Sequence, residues 1–339
     1  MPSTSDITKA PVSTGQAAAG RPIFRSVHGL YQLMLWTGTG SSNAIWFGTC
    51  KTGSYAPAGA ATKADSAAGF GPAFALAPAG DSGYLAWVAD NKRIMVAKAV
   101  ADGSSPPKWS IPGTPVAIPS SNAASAPVAA LREQNGALVL TLVWQDAGAG
   151  GMVYCQLDSA NLAASTAFAG LGQSCKGSPW LAAHGAATFL AYTGTDGQFN
   201  LAVDPDGGVA FDFANRFTAA GITSDHGPAY VPLSRSQGYV CWASAAGLSY
   251  QQIGIDSDGD WALNTRAGCS GTIAGINPTA APSAQLTTVT DDQGVTSRVI
   301  VVAAPSAAPP AAKANTVMVA GFVPDTSSVP LPLAQLATS

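Results

Sequence analysis

Charge is scarce in this chain. Asp, Glu, Lys and Arg make up only 10% of its 339 residues, against roughly 25% in ordinary soluble domains. Glu133 is the single glutamate, and His28, His184 and His226 are the only histidines. The net charge of -3 offers no basic field for a phosphate backbone, which argues against a nucleic-acid partner. No apolar run approaches the ~18 residues that cross a bilayer as a helix, so no membrane span is predicted. The first twenty residues are small and polar. They show no basic segment followed by an apolar one, so no signal peptide is visible. A secreted or cell-surface role stays open. The five cysteines are an odd number without metal-ligand spacing. Cys155 and Cys241 lie in apolar stretches and are expected to be buried thiols; a disulfide such as Cys155 to Cys175 stays open. The nucleophile elbow G-x-S-x-G, the phosphate loop G-x-x-x-x-G-K-[ST] and the zinc motif H-E-x-x-H are absent.

Glycine and proline, by contrast, are plentiful, at 37 and 24 residues. Many short strands joined by tight turns need that composition. Pro22, Pro72, Pro127, Pro179, Pro228 and Pro278 recur at spacings of 50, 55, 52, 49 and 50 residues. Each is followed by two apolar stretches, the second usually ending in an aromatic: Trp36, Trp87, Trp144, Tyr192 and Trp242. The sixth copy has drifted to Val299-Ile300-Val301-Val302. A period near 50 with several short strands per copy predicts a β-propeller, one four-stranded blade per repeat. The expected fold is therefore all-β: a six-bladed β-propeller of four-stranded antiparallel blades. It forms a single domain over 1–339, with blades starting near 21, 71, 126, 178, 227 and 277 and almost no helix.

Each repeat reads as strands A to D, with the proline opening A, where its missing N–H costs least. In the second copy A is about 72–77, B 83–89, C 93–100 and D 109–118. Residues 1–20 are either a closing strand or a tail. Residues 8–14 resemble the D strand at 113–119 and are expected to complete the last blade, since an open ring exposes sheet edges. Residues 328–337 compete for the same place. Alternating strand direction sorts the loops. Arg21, Trp180, Asp225, His226 and Asn277 belong near the axis on the D–A and B–C face. His28, Arg132, Glu133, His184, Arg235, Asp291 and Asp292 belong on the opposite face.

The strand-B aromatics occupy one repeated position and read as packing between blades. Trp46, Trp109, Trp180 and Trp261 break the repeat. Trp180 opens an innermost strand where the other copies have Ile23, Ala73, Val128, Ala229 and Thr279. With Asp225, His226 and Tyr230 it makes the densest set of non-repeating polar and aromatic residues, and these four are the candidate ligand site. His28, Glu133 and His184 form an alternative acid/base or metal cluster on the other face. Asp204-Pro205-Asp206-Gly207 and Asp256-Ser257-Asp258-Gly259 begin like EF-hand loops but lack the later glutamate and the helices. They read as Asx-rich hairpin turns, with weak Ca2+ binding as the alternative. No other cofactor is expected.

The small-residue–Pro start, the strand ending in Trp and the turns Trp36-Thr37-Gly38-Thr39-Gly40 and Tyr192-Thr193-Gly194-Thr195-Asp196-Gly197 together resemble the bacterial and fungal β-propeller lectins. They also resemble sialidase-like repeat propellers, as does Asp256–Gly259 followed by Trp261, which is similar to an Asp-box turn. The lectin resemblance covers 21–323. It implies glycan binding between adjacent blades through aromatic, arginine and acidic side chains. The repeated Arg and Glu pair of fucose-binding relatives is missing, which argues against several identical sites. One glutamate and no sialidase-like arginine set argue against a retaining glycosidase. The expectation is a non-catalytic carbohydrate-binding module whose partner is a glycan or glycoconjugate. The alternatives are a propeller hydrolase, lyase or other enzyme with an axial-funnel site around His28, Glu133 and His184, and a protein-binding scaffold.

Overall fold

The computed structural model describes residues 11–27, 31–39, 43–52, 55, 57–67, 69–134, 136–162, 168–207, 209–290, 296–307 and 315–324. Twenty-six strands and no α-helix occur among them. Strand β1 (Val12–Ala17) precedes the first blade, which holds β2 (Ile23–Val27), β3 (Tyr31–Thr37), β4 (Ala44–Lys51) and β5 (Thr62–Ser66). The second holds β6 (Ala73–Leu76), β7 (Ser82–Val88), β8 (Ile94–Ala101), β9 (Trp109–Ser110) and β10 (Val116–Ala117). The third is β11 (Val128–Gln134), β12 (Ala137–Asp146), β13 (Gly151–Asp158) and β14 (Ala169–Gly170). The fourth is β15 (Lys176–His184), β16 (Ala187–Thr193), β17 (Gln198–Asp204) and β18 (Phe217–Thr223). The fifth is β19 (Ala229–Pro232), β20 (Gln237–Ser244), β21 (Gly247–Ile255), β22 (Trp261–Leu263) and β23 (Ser270–Ile273). The last is β24 (Ser283–Thr290), β25 (Thr296–Ser306) and β26 (Thr316–Phe322), completed by β1.

Each blade is an antiparallel meander. The innermost strands β2, β6, β11, β15, β19 and β24 contact one another in a closed ring, so the chain is a six-bladed β-propeller. The outer strand is broken in two blades. In the second, β9 and β10 pair with opposite ends of β8, where the sequence predicts one strand over 109–118; in the fifth, β22 and β23 divide β21 in the same way.

The strand register corrects the sixth repeat. In the first five blades the residue after the proline pairs with the residue before the aromatic: Ile23 with Leu35, Ala73 with Ala86, Val128 with Val143, Trp180 with Ala191, Ala229 with Cys241. The matching pair in the last blade is Ser283 with Ala303. Its proline is therefore Pro282, not Pro278, and Ala304 stands where the aromatic would be. Pro278 sits in the connection before the blade and makes an isolated bridge to Ser306. Ser283 then replaces Thr279 as the first innermost residue.

The B-strand aromatics do fill the spaces between sheets. Trp36 clusters with Val299 and Val301 of the last blade, Trp144 with Tyr84 and Ala86 of the second, and Tyr192 with Val128 and Val143 of the third. Trp144 Nε1 donates to Asp146 Oδ2 at 3.1 Å. The same carboxylate accepts from Asn122 N at 2.7 Å, Gly148 N at 2.9 Å and Ala149 N at 3.1 Å, tying the link between blades to strand β12. Burial alone would raise this carboxyl; the four donors outweigh it and hold it below the usual range. All five cysteines are buried thiols outside any disulfide, so the Cys155–Cys175 bridge does not form.

Closure falls to β1, which pairs with β26 through Val12–Val319, Ser13–Met318 and Ala17–Thr316. Thr14 Oγ1 is buried and donates to Val317 O at 3.1 Å. The competing segment 328–337 lies outside the described residues.

Removing residues 1–19 should lower the melting temperature by several degrees, read by calorimetry, because it opens a sheet edge in the ring. An unchanged value would assign the closing role elsewhere. Asp146→Ala should cost about 2 kcal/mol at pH 7, the scale of a buried charged acceptor leaving its donors unpaired. Since the folded carboxyl titrates below its unfolded value, its stabilisation is present above about pH 4 and fades as pH falls through the folded value. Urea unfolding of both proteins at several pH values should show that gap closing in acid.

Candidate functional site

Six strands converging on an axis leave little room at the residue that follows each repeat proline. Ile23, Ala73, Val128, Ala229 and Ser283 are all buried. The sixth equivalent, Trp180, fills the space that these smaller residues leave and is 4% exposed. Its Nε1 donates to Tyr230 O at 2.7 Å. Tyr230 is buried too, its ring 5.3 Å from Phe189. Its hydroxyl turns towards Gly238, where any side chain would collide with it.

Arg21 covers Trp180 from the D–A and B–C face, with its guanidinium carbon 4.9 Å from the ring centroid. It crosses the axis from the first blade to donate to Pro179 O at 2.6 Å, Pro228 O at 3.0 Å and Ser178 O at 3.2 Å. It is 3% exposed, and burial pushes its guanidinium down to about 9, still charged at neutral pH. Burial likewise raises the nearby Cys175 thiol to about 12. Gly227, at φ +87°, lets the next loop pass directly over the Ser178 carbonyl.

These contacts separate the four candidate residues. Trp180 and Tyr230 lie within the protein, and neither ring offers solvent a stacking face. Asp225 and His226 stay at the surface. They line an open groove of about 440 Å3 between the fourth and fifth blades, with Lys176, Asp196, Thr223 and Ser244. Lys176 Nζ lies 3.8 Å from Asp225 Oδ1 across exposed side chains. A second cavity, about 190 Å3, adjoins it at the axis under Arg21 and again takes in Asp225 and His226. The groove thus carries ammonium, carboxylate, imidazole and hydroxyl groups within one space.

The opposite mouth is a funnel of about 370 Å3 on the other side of Trp180. His184 lines it, whereas Glu133 is exposed near the end of β11 and does not. His28, Asp291 and Asp292 lie outside the described residues. No group of three or more His, Cys, Asp or Glu able to hold a metal occurs among the described residues. The two aspartate-rich turns use their carboxylates locally. Asp204 accepts from Asp206 N at 3.0 Å and Ala210 N at 2.9 Å; Asp256 accepts from Asp258 N at 3.0 Å and Asp260 N at 3.1 Å.

Neither a family model nor a curated protein matches this chain. Solved structures do. The subtype N11 neuraminidase-like protein of A/flat-faced bat/Peru (H18N11) superposes with TM-score 0.55 at 9% identity, covering 95% of both chains. An arginine triple mutant of AofleA from Arthrobotrys oligospora gives 0.56 at 11% identity, over 92% of this chain and 86% of that one. The SapL1 lectin, in complex with alpha methyl fucoside, gives 0.53 at 11% identity, over 93% and 100%. At such identities the likeness is one of fold: a β-propeller of the architecture that sialidases and lectins share.

Trp180→Ala should destabilise the protein by about 3–5 kcal/mol, the usual cost of emptying a buried aromatic site. Trp180→Phe keeps most of the volume but loses the donor to Tyr230 O, and should cost about 1 kcal/mol beyond any repacking. Equal stability of the alanine variant and wild type in urea would show that the ring does not support the axis.

Proposed function

We propose that this chain is a non-catalytic carbohydrate-recognition module whose ligand lies in the groove between the fourth and fifth blades. The observation that carries this reading is the groove itself. Its volume falls in the range of small-molecule sites, roughly 300–1,000 Å3, and donors and acceptors surround it on several sides. Sugars present hydroxyls around a ring and need such a rim. Asp225 and His226 are the proposed contacts, with Lys176 and Ser244 beside them. Pro278 and Ala243 supply the apolar wall. Trp180 and Tyr230 belong to the site as its packed support, because the strands they brace carry the groove's loops. The alpha methyl fucoside bound by the SapL1 lectin, which shares the fold, agrees with this class of ligand. The enzyme alternative has less behind it, since Glu133 stands apart from the funnel that His184 lines.

A glycan array with the intact protein, run with and without calcium, should return binders. Titrating one of them should show that Asp225→Asn and His226→Ala each lower affinity about tenfold or more, a factor of ten being about 1.4 kcal/mol. Undiminished affinity in both variants would remove this groove. An array without binders would count against glycan recognition as a whole.

A further inference from the structure

The residues three places after the repeat prolines are Arg25, Ala75, Ala130, Ala182, Val231 and Gln285, and all six line the funnel on the A–B face. They form one ring of equivalent positions. Four are small and apolar, as a crowded axis requires. The two exceptions stand on β2 and β24, neighbours in the ring, and both bring hydrogen-bond donors.

Gln285 shows which end is free. Its Oε1 accepts from Ser26 N at 3.0 Å, while its Nε2 is buried with no acceptor. An unmade bond of that kind costs about 1–3 kcal/mol. Arg25 uses Nη1 to reach Phe24 O at 2.8 Å, and its guanidinium carbon lies 5.9 Å from the Trp180 centroid. It makes no ion pair among the described residues. Burial draws its guanidinium down to about 10. No Asp or Glu is among the funnel's described lining residues, and His184 stands on another wall. Among the described residues, these two donor-bearing side chains therefore stand in the funnel wall without a matching acidic partner.

We infer that this funnel is a second binding site, in which Arg25 and Gln285 hold the oxyanion of a small molecule bearing a carboxylate, phosphate or sulfate group. Arg25 supplies the planar fork that matches two oxygens, and Gln285 Nε2 supplies a further donor. The funnel volume exceeds what an oxyanion needs, so the body of the ligand rests on Ala75, Ala130, Ala182 and Val231. This site is on the opposite face from the glycan groove and does not depend on it.

Melting temperature is measured against added sodium acetate, phosphate and sulfate, with sodium chloride holding ionic strength constant. Saturable binding should raise it by a few degrees as the anion passes its Kd, whereas general salt stabilisation grows without saturating. The three arms tell which oxyanion chemistry is preferred. Gln285→Glu keeps the acceptor for Ser26 N and places a carboxylate beside Arg25. That variant should melt higher than wild type without added anion and lose the saturable response. Arg25→Gln should lose the response as well, and titration calorimetry with the preferred anion should show no heat for either variant. A wild-type curve that never saturates for any of the three anions overturns the site. So does an undiminished saturable response in Gln285→Glu.

Discussion

Crowding at the axis is the constraint on which the rest of this propeller depends. Six strands start within reach of one another, so their first inward residues must be small unless one of them takes all the space. Trp180 takes it, and Ile23, Ala73, Val128, Ala229 and Ser283 are sized around it. The tryptophan then needs a partner for its indole N–H, found in the Tyr230 carbonyl. It also divides the channel, giving the molecule two mouths of different chemistry.

Polar satisfaction follows from the same geometry. The opening stretches of the fourth and fifth innermost strands present carbonyls to the axial arginine. Arg21 answers three of them at once, from Pro179, Ser178 and Pro228. A guanidinium suits this task because its donors are fixed in a plane. Blades one, four and five are thereby joined across the centre as well as around the ring. Further out, Asp146 does comparable work between the second and third blades, gathering three backbone amides and an indole on one carboxylate.

A scaffold held so firmly at the centre leaves its loops to carry the proposed recognition. The groove with Asp225 and His226 is built from the B–C loops of the fourth and fifth blades, the D–A connections at Asp225 and Pro278, and the start of β15. Fold alone selects no activity for a propeller. The weight therefore rests on local chemistry: mixed hydroxyl, acidic and basic groups in the groove, and an arginine and a glutamine with no acidic partner among the funnel's described residues.

The repeat was legible in the chain because six blades share a proline just before the residue nearest the axis, and five of them an aromatic where two sheets face. That determined the fold class, the blade number and the inter-blade role of Trp36, Trp87, Trp144 and Tyr192. Pro278 misled because two prolines lie four residues apart, and only the pairing of Ser283 with Ala303 selects Pro282. The equivalence of Arg25 and Gln285 was hidden by the same offset. The exceptional character of Trp180 was visible, but its direction was not. A side chain's exposure depends on what stands opposite it, and five strands distant in sequence close around this one. Asp225 and His226 reached the surface and Trp180 and Tyr230 the interior because ring closure, a property of the whole chain, decides which side of each strand faces the axis.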